Sequence, residues 1–453
     1  MTPLQRVLAQ PEAYRFDVDT LGPCRLDSPV RNRAFVPEDA RGLVTHDPAA
    51  LAAAAASGRP LPSFELAGPR RRIFHDPAWS RAAILTAGGL CPGLNHVIKG
   101  LVEILATEYG VRTILGIRYG YRGLTARHGC APVPLDPEAV DTIHERGGTI
   151  LGSSRGEQPA AEMVETLTRS NINLLFCIGG DGTLRGARAI AEECRRRGLA
   201  ISVVGVPKTI DNDLNFVGRS FGFATAVDET SAIVQSAHME AKGAVNGVGL
   251  VKLMGRDSGF IAACAALANP VVNFCLIPEC AFALEGPGGL LAALEGRFAA
   301  GKDHAVVVVA EGAGQDLIAG GGEGRDPSGN PHKKDIGELL RRAIPAHFAA
   351  RGTEVNIKYF DPSYSIRSVP ARGLDAIHCY LVARNAVHAA LAGRTNCVVG
   401  CLQGDEYTLV PIALATMERQ RVDLDGDLWK AVLDATGQDR LLGKKREDTN
   451  VER

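Results

Sequence analysis

From Arg81 onward the chain alternates between two hydrophobic patterns. Short uninterrupted apolar runs at 82–86, 112–117, 174–178, 201–206, 248–253, 273–277, 305–310, 355–360 and 397–402 have the length and composition of buried strands. Segments of helical periodicity at 94–105, 162–169, 187–197, 224–242 and 335–351 separate most of them. Strand–helix alternation predicts parallel sheets joined by crossover helices. So many runs exceed one comfortable sheet, so the expected fold class is α/β, with two lobes of parallel-sheet α/β sandwich and a cleft between them. Ligands of such sheets bind at the carboxyl ends of the strands.

The first part of the chain differs. Residues 1–80 contain many prolines, few long apolar runs and an alanine-rich piece at 48–57. They read as an N-terminal extension that wraps the core, with a disordered leader as the alternative. The glycine-rich stretch 312–332 reads as a flexible surface segment, and the charged tail 443–453 as frayed. No internal repeat is visible. A net charge of −1 argues against nucleic acid or a membrane surface as the main partner. The 11 scattered cysteines suit reduced thiols in the cytoplasm rather than a disulfide framework. No apolar stretch is long enough to span a membrane, and residues 1–16 lack the core of a signal peptide.

Five segments carry chemistry, each at the end of a predicted strand. The third along the chain says most: Gly179-Gly180-Asp181-Gly182-Thr183 joins a buried strand to a helix. Its glycines permit a sharp turn and close approach of backbone to a ligand, and the helix start favours phosphate. Asp181 would repel that phosphate unless a divalent cation lay between them, which points to a Mg²⁺–phosphate site. The first segment, Gly88-Gly89 and onward to Asn95, is a second strand–turn–helix loop without the lysine of a P-loop. The second, Gly152-Ser153-Ser154-Arg155-Gly156, sets one arginine among small residues, suited to gripping phosphate oxygens or simply solvated. The fourth, Lys208-Thr209-Ile210-Asp211-Asn212-Asp213, offers two carboxylates and an amine after an apolar strand. One carboxylate can take a hydroxyl proton while the other orients metal. The fifth, Met254-Gly255-Arg256-Asp257, ends a strand on an arginine; the alternative is an Arg256–Asp257 surface pair. The spacing of Gly180, Gly182 and Gly186 does not make a dinucleotide fingerprint.

Together these segments resemble the 6-phosphofructokinase family, from about Arg81 to about Arg394. GGDGT alone occurs also in NAD kinases and diacylglycerol kinases. With PKTIDND, MGRDSGFIA, Ile277-Pro278-Glu279 and Asp361-Pro362-Ser363-Tyr364-Ser365-Ile366-Arg367 the pattern becomes specific, and it is similar to the subgroup of plants, trypanosomes and some bacteria. The resemblance implies a catalytic region 81–442 of two interleaved lobes: a nucleotide lobe of roughly 81–222 plus part of 366–442, and a sugar-phosphate lobe of roughly 223–365. It implies transfer of the γ-phosphoryl of ATP to the 1-hydroxyl of fructose 6-phosphate, with Mg²⁺, in a homo-oligomer (dimer or tetramer). Nucleotide contacts fall on Gly88, Arg155, Gly156, Gly180, Asp181, Gly182, Thr183 and Lys208, with Asp181 at the metal position. Asp211 takes the general-base position, Thr209 meets the transferring group, and Arg256 stabilises the transition state. Sugar-phosphate contacts fall on Thr209, Ile210, Asp211, Met254, Gly255, Arg256, Glu279, Lys358, Tyr364 and Arg367.

The donor signature is mixed. Family members that use pyrophosphate have Asp where Gly182 stands and Lys where Lys208 stands; this chain combines the glycine with the lysine. Glycine leaves room for the α-phosphate of ATP, so ATP is the expected donor and pyrophosphate the alternative. A regulatory subunit without activity would have lost Asp181, Asp211 or Arg256. An arginine that reaches a neighbouring subunit in the short bacterial enzymes is replaced by Asn246-Gly247. His238 with Glu240 reads as a surface or interface pair, Arg195–Arg197 as a helix end, Arg70–Arg72 as a solvated charge run, and 260–267 as core helix.

Overall fold

The apolar runs become strands of two separate sheets. The computed structural model describes residues 3–31, 34–56, 58, 61–320, 324, 332–402 and 406–439. The chain divides into two compact units, one made of Met1–Gly222 with Arg367–Arg419 and the other of Phe223–Ile366 with Gln420–Arg453. The tail 443–453 and most of the 321–331 stretch lie outside the described residues.

In the first unit, five parallel strands form the centre of a nine-stranded sheet: Cys397–Cys401, Ser202–Pro207, Leu174–Gly179, Arg81–Thr86 and Thr113–Ile117, in that spatial order. Both faces are covered, which is why these strands read as continuous apolar runs. Ile84, Phe176 and Val204 pack on one face with the helices Leu94–Glu103 and Gly373–Leu391. Leu85, Cys177 and Val203 pack on the other with Ala160–Arg169 and Asp181–Arg196. The sheet is not wholly parallel. Tyr407–Pro411, Ser63–Leu66 and Arg41–Leu43 extend one edge in antiparallel fashion, and Val133–Pro134 closes the other.

Two of those edge strands come from the first 80 residues. The same stretch pairs Asp19–Thr20 with Arg394–Thr395 and Leu26–Asp27 with Arg72–Ile73. Its alanine-rich helix, Pro48–Ala56, buries none of its side chains. Arg70 is not solvated: it is only 2 % exposed, and its guanidinium donates to Glu65 at 2.8 Å and to the carbonyls of Val36 and Pro37. Glu65 also accepts from Arg394 at 2.8 Å, and Arg394 reaches Glu38 at 2.8 Å. One buried carboxylate thus compensates two guanidinium groups that are over three hundred residues apart in sequence. Removing one partner of such a set leaves a buried charge uncompensated.

The second unit holds an all-parallel four-stranded sheet in the order Phe274–Leu276, His304–Ala310, Gly247–Leu253, Asn356–Phe360. Leu250, Val307 and Val309 pack beneath the helices Leu290–Ala299 and Ile336–Ala349. Asp335 caps the latter by accepting from the backbone N–H of Glu338 at 3.2 Å. All eleven cysteines are free thiols. Among the described residues no helix is long and apolar enough to cross a membrane.

His75 joins the first 80 residues to the core of their unit. Its Nε2 lies 3.1 Å from Ser202 Oγ, whose own proton goes to the Ala390 carbonyl. Nε2 therefore carries the proton and Nδ1 faces the Asn173 amide at 3.5 Å. Burial lowers the imidazole pKa to about 4. A base whose folded pKa is depressed contributes stability that is complete above its unfolded value near 6.5 and is lost as pH falls towards 4. Between pH 7 and pH 5 this one group is expected to remove about 2 kcal/mol. Denaturant titrations at the two pH values check this: His75→Gln should flatten the slope by that amount, and an unchanged slope contradicts it.

Candidate functional site

The first unit gathers its chemistry where three neighbouring strands end level. Thr86 is in register with Ile178, and Ile178 with Val206. The chain leaves Arg81–Thr86 for a helix on one face and Leu174–Gly179 for a helix on the other, so the sheet's switch point lies between these two strands. Three loops consequently meet: 87–93, 179–183 and 207–213.

Their fit is close. Gly88 has φ +89°, which a side chain rarely adopts, and a β-carbon built there would stand 3.4 Å from Lys208 Nζ and 3.9 Å from Thr183 Oγ1. One built on Gly89 would stand 3.5 Å from Arg155 Nη2 and 3.9 Å from Arg367 Nη1. Two hydrogen bonds hold the 152–156 loop to this turn: Gly88 N–H to the Ser154 carbonyl at 3.1 Å, and Ser153 Oγ to the Gly88 carbonyl at 2.6 Å. Three cationic side chains therefore converge on one glycine turn. Arg367, expected with the sugar phosphate, stands beside Arg155.

Lys208 is 7 % exposed, and burial pulls its pKa down, opposed by Cys91, Asp213 and Asp211. A buried ammonium that retains little water gains most from an anion brought to it. Asp181 opens the helix Asp181–Arg196, with Arg185 Nε 3.2 Å from its carboxylate. Burial raises its pKa, with Arg185 and Arg419 acting the other way. Around Gly182 there is open space: an added β-carbon would meet nothing within 4 Å.

The 208–213 turn is tightly tied. Thr209 Oγ1 donates to Asp213 at 2.5 Å, and Asp213 also faces Arg419 at 3.6 Å. Ser220 Oγ donates to the Thr209 carbonyl at 2.5 Å, and Ser220 N–H donates to Asn212 Oδ1 at 2.8 Å. Asn212 adopts φ +53°, as a short polar residue can. Asp213 is thus engaged in holding the turn, while Asp211 lies close enough to act electrostatically on Lys208.

In the second unit, Gly247–Leu253 and His304–Ala310 also end level, with Leu253 in register with Ala310. Met254 is buried and Gly255 has φ +134°. Glu311 N–H donates to the Leu253 carbonyl at 2.9 Å, and Gly312 N–H to the Gly255 carbonyl at 3.0 Å. Any side chain at 312 would collide with the Arg256 carbonyl, 1.9 Å from an added β-carbon. Arg256 does not make a tight pair with Asp257: the separation is 3.9 Å, and Asp257 is held by Lys333 at 2.8 Å. Arg256 also acts electrostatically on Glu311, whose pKa burial raises while Arg256 and Lys252 oppose the rise.

Glu279, expected at the sugar hydroxyls, is bonded to backbone N–H groups. Its two oxygens accept from Gly259 N–H at 2.9 and 3.1 Å, and one accepts from Val422 N–H at 2.8 Å. It anchors the start of the helix Phe260–Ala268. Glu311, which the sequence reading missed, is the carboxylate beside Arg256; its only sequence signal is its place directly after an apolar strand. Lys358 lies on Asn356–Phe360, 3.9 Å from Glu240, and Tyr364 is 76 % exposed. Among the described residues no three His, Cys, Asp or Glu side chains cluster to form a metal cage.

The chain as a whole is similar to known proteins. Residues 81–390 match the family model described as Phosphofructokinase. The chain is 50 % identical over 440 residues to a protein of Amycolatopsis methanolica named ATP-dependent 6-phosphofructokinase, spanning 94 % of this chain and 95 % of the relative. It is 46 % identical over 389 residues to the protein of that name from Trypanosoma brucei brucei, spanning 84 % of this chain and 79 % of the relative. Its fold is similar to the crystal structure of a pyrophosphate-dependent phosphofructokinase from Marinobacter aquaeolei, with TM-score 0.63, 19 % identity, and coverage of 80 % and 92 % of the two chains. The chain belongs to the phosphofructokinase family.

Proposed function

We propose that this chain transfers the γ-phosphoryl group of ATP to the 1-hydroxyl of fructose 6-phosphate, giving fructose 1,6-bisphosphate and ADP. The observation that carries this reading is the convergence of Lys208, Arg155 and Arg367 on the Gly88-Gly89 turn, beside open space at Gly182. The names borne by relatives up to 50 % identical support it.

Phosphoryl transfer depends on in-line placement and neutralised charge more than on covalent chemistry. Gly88, Gly180, Thr183 and the first turn of Asp181–Arg196 accept the donor's phosphates, and Arg155, beside Gly156, supplies fixed positive charge. Lys208 adds an ammonium that burial has already stripped of water. Mg²⁺ fits Asp181: a single carboxylate suits an ion that takes its other ligands from phosphate and water. When bound, Mg²⁺ neutralises charge on the phosphate oxygens. The Asp181–Arg185 pair is a partly exposed i,i+4 contact and costs little to part.

Asp211 takes the proton of the acceptor hydroxyl, with Thr209 and Ile210 shaping the turn that presents it. Asp213, bonded to Thr209, holds that turn in place. Arg256 steadies charge on the moving group. Met254, Gly255, Tyr364 and Lys358 complete the sugar-phosphate contacts, and Glu311 takes the sugar hydroxyls in place of Glu279. The chain acts as a homo-oligomer.

Open space at Gly182 favours ATP over pyrophosphate, because a donor with a nucleoside needs that room. A β-carbon at this position would meet nothing within 4 Å, so Gly182→Asp is expected to fold normally. Its kcat/KM for MgATP is expected to fall about 100-fold while its KM for fructose 6-phosphate stays within about threefold. Coupled assay of the bisphosphate product with each donor checks this. Equal losses for donor and acceptor, or wild-type turnover with pyrophosphate and none with ATP, contradict the reading.

The two glutamates separate cleanly. Glu311→Gln is expected to raise KM for fructose 6-phosphate about tenfold or more. Glu279→Gln should lower stability by about 1–2 kcal/mol and leave that KM within about twofold. Steady-state kinetics with thermal denaturation checks both, and the opposite pattern restores the sugar to Glu279.

A further inference from the structure

Away from these loops the first unit has a cavity of about 300 Å³ beside the Thr113–Ile117 strand and the end of the helix Ala160–Arg169. It is lined by the apolar Leu115, Ile117 and Ile172 together with Thr125, Thr166 and Ser170. Arg169 is the one charged residue that lines it. Arg169 Nη2 makes only a long contact to Thr166 Oγ1, at 3.4 Å. A largely apolar lining with one guanidinium is complementary to a small organic anion: an apolar body for the lining and a carboxylate for the fork of Arg169.

The outer wall of the cavity, 123–132, continues from an unusual turn. Tyr119 has φ +56°, a conformation costly for an aromatic residue and held only where surroundings enforce it. Those surroundings are the loop of Arg155: Tyr119 N–H donates to the Leu151 carbonyl at 2.9 Å, and Ser154 Oγ donates to the Tyr119 carbonyl at 2.6 Å. Farther along the wall, Arg127 donates to Gln158 Oε1 at 2.5 Å. The loop that carries Arg155 is therefore fastened to the cavity wall through Arg127 and to the turn before that wall through Tyr119.

We propose that this cavity is a second ligand site, for a small carboxylate with an apolar body held by Arg169, and that its occupancy acts on the Arg155 loop through 118–130. The second half rests on the donor role given to Arg155; the first does not. Cys130 also lines the cavity and is partly exposed, as is Cys24 outside it. Alkylation of each thiol by iodoacetamide, resolved by peptide mass spectrometry on the full-length protein, reports occupancy without any activity measurement. With sodium benzoate as the probe, at about ten times its dissociation constant, Cys130 is expected to react about tenfold more slowly while Cys24 is unaffected. Benzamide, which lacks the charge, should protect far less, and Arg169→Gln should lose the benzoate effect. An unchanged Cys130 rate up to the solubility limit of benzoate, equal slowing at Cys24, or full protection in Arg169→Gln overturns the site. Benzoate should also change KM for ATP about twofold or more in the wild-type protein and not in Arg169→Gln. Protection of Cys130 with no such change overturns the link to the Arg155 loop and leaves the site standing.

Discussion

The register of three adjacent parallel strands underlies the rest of the first unit. Because Arg81–Thr86, Leu174–Gly179 and Ser202–Pro207 end at one level, three loops of different parentage turn together. Only then can a glycine turn face a buried lysine and a threonine hydroxyl from two other loops. A slip of one residue would turn each alternate side chain to the other face and move Lys208 away from Gly88. Burial of both sheet faces makes such a slip costly, since Ile84 and Leu85 each belong to a different packed layer. The hydrophobic core thus fixes the geometry of the polar loops.

The second unit repeats the device on a smaller scale. Leu253 and Ala310 lie side by side, so the residues that follow them, Met254-Gly255-Arg256 and Glu311-Gly312, are pressed together. The backbone contact at Gly312 is too close for any side chain, which sets the Arg256 backbone against the strand end. Arg256 then acts on Glu311: the guanidinium opposes the rise that burial imposes on the carboxyl pKa. Neither side chain has this setting by virtue of its neighbours in sequence.

That distinction explains what was legible in the chain. Strands covered on both faces announce themselves as apolar runs, and all nine were visible to within a residue or two. The loops after them were visible because glycines and charged residues cluster where an apolar run stops. The antiparallel strands Arg41–Leu43, Ser63–Leu66 and Tyr407–Pro411 were not; the first two are only three and four residues long. The helix Gly373–Leu391 escaped because buried residues occupy most of its turns and erase the amphipathic period. Arg70 was misjudged for a related reason: Arg-Arg-Arg reads as solvated until Glu65 and Arg394 are brought to it. Glu279 and Glu311 show the same limit at the site. Ile-Pro-Glu is a visible motif whose carboxylate the backbone takes up, whereas Glu311 has no motif and gains its place from strand register alone.

The proposed role of Asp211 draws on the same turn, which Asp213 ties to Thr209 and Arg419. The most direct measurement is kcat for Asp211→Asn, by coupled detection of fructose 1,6-bisphosphate, with ATP and fructose 6-phosphate affinities measured calorimetrically on the same protein. A loss of about 10²–10⁴-fold in kcat, with both affinities within about threefold, is the expected result. Turnover within about tenfold of wild type would contradict it.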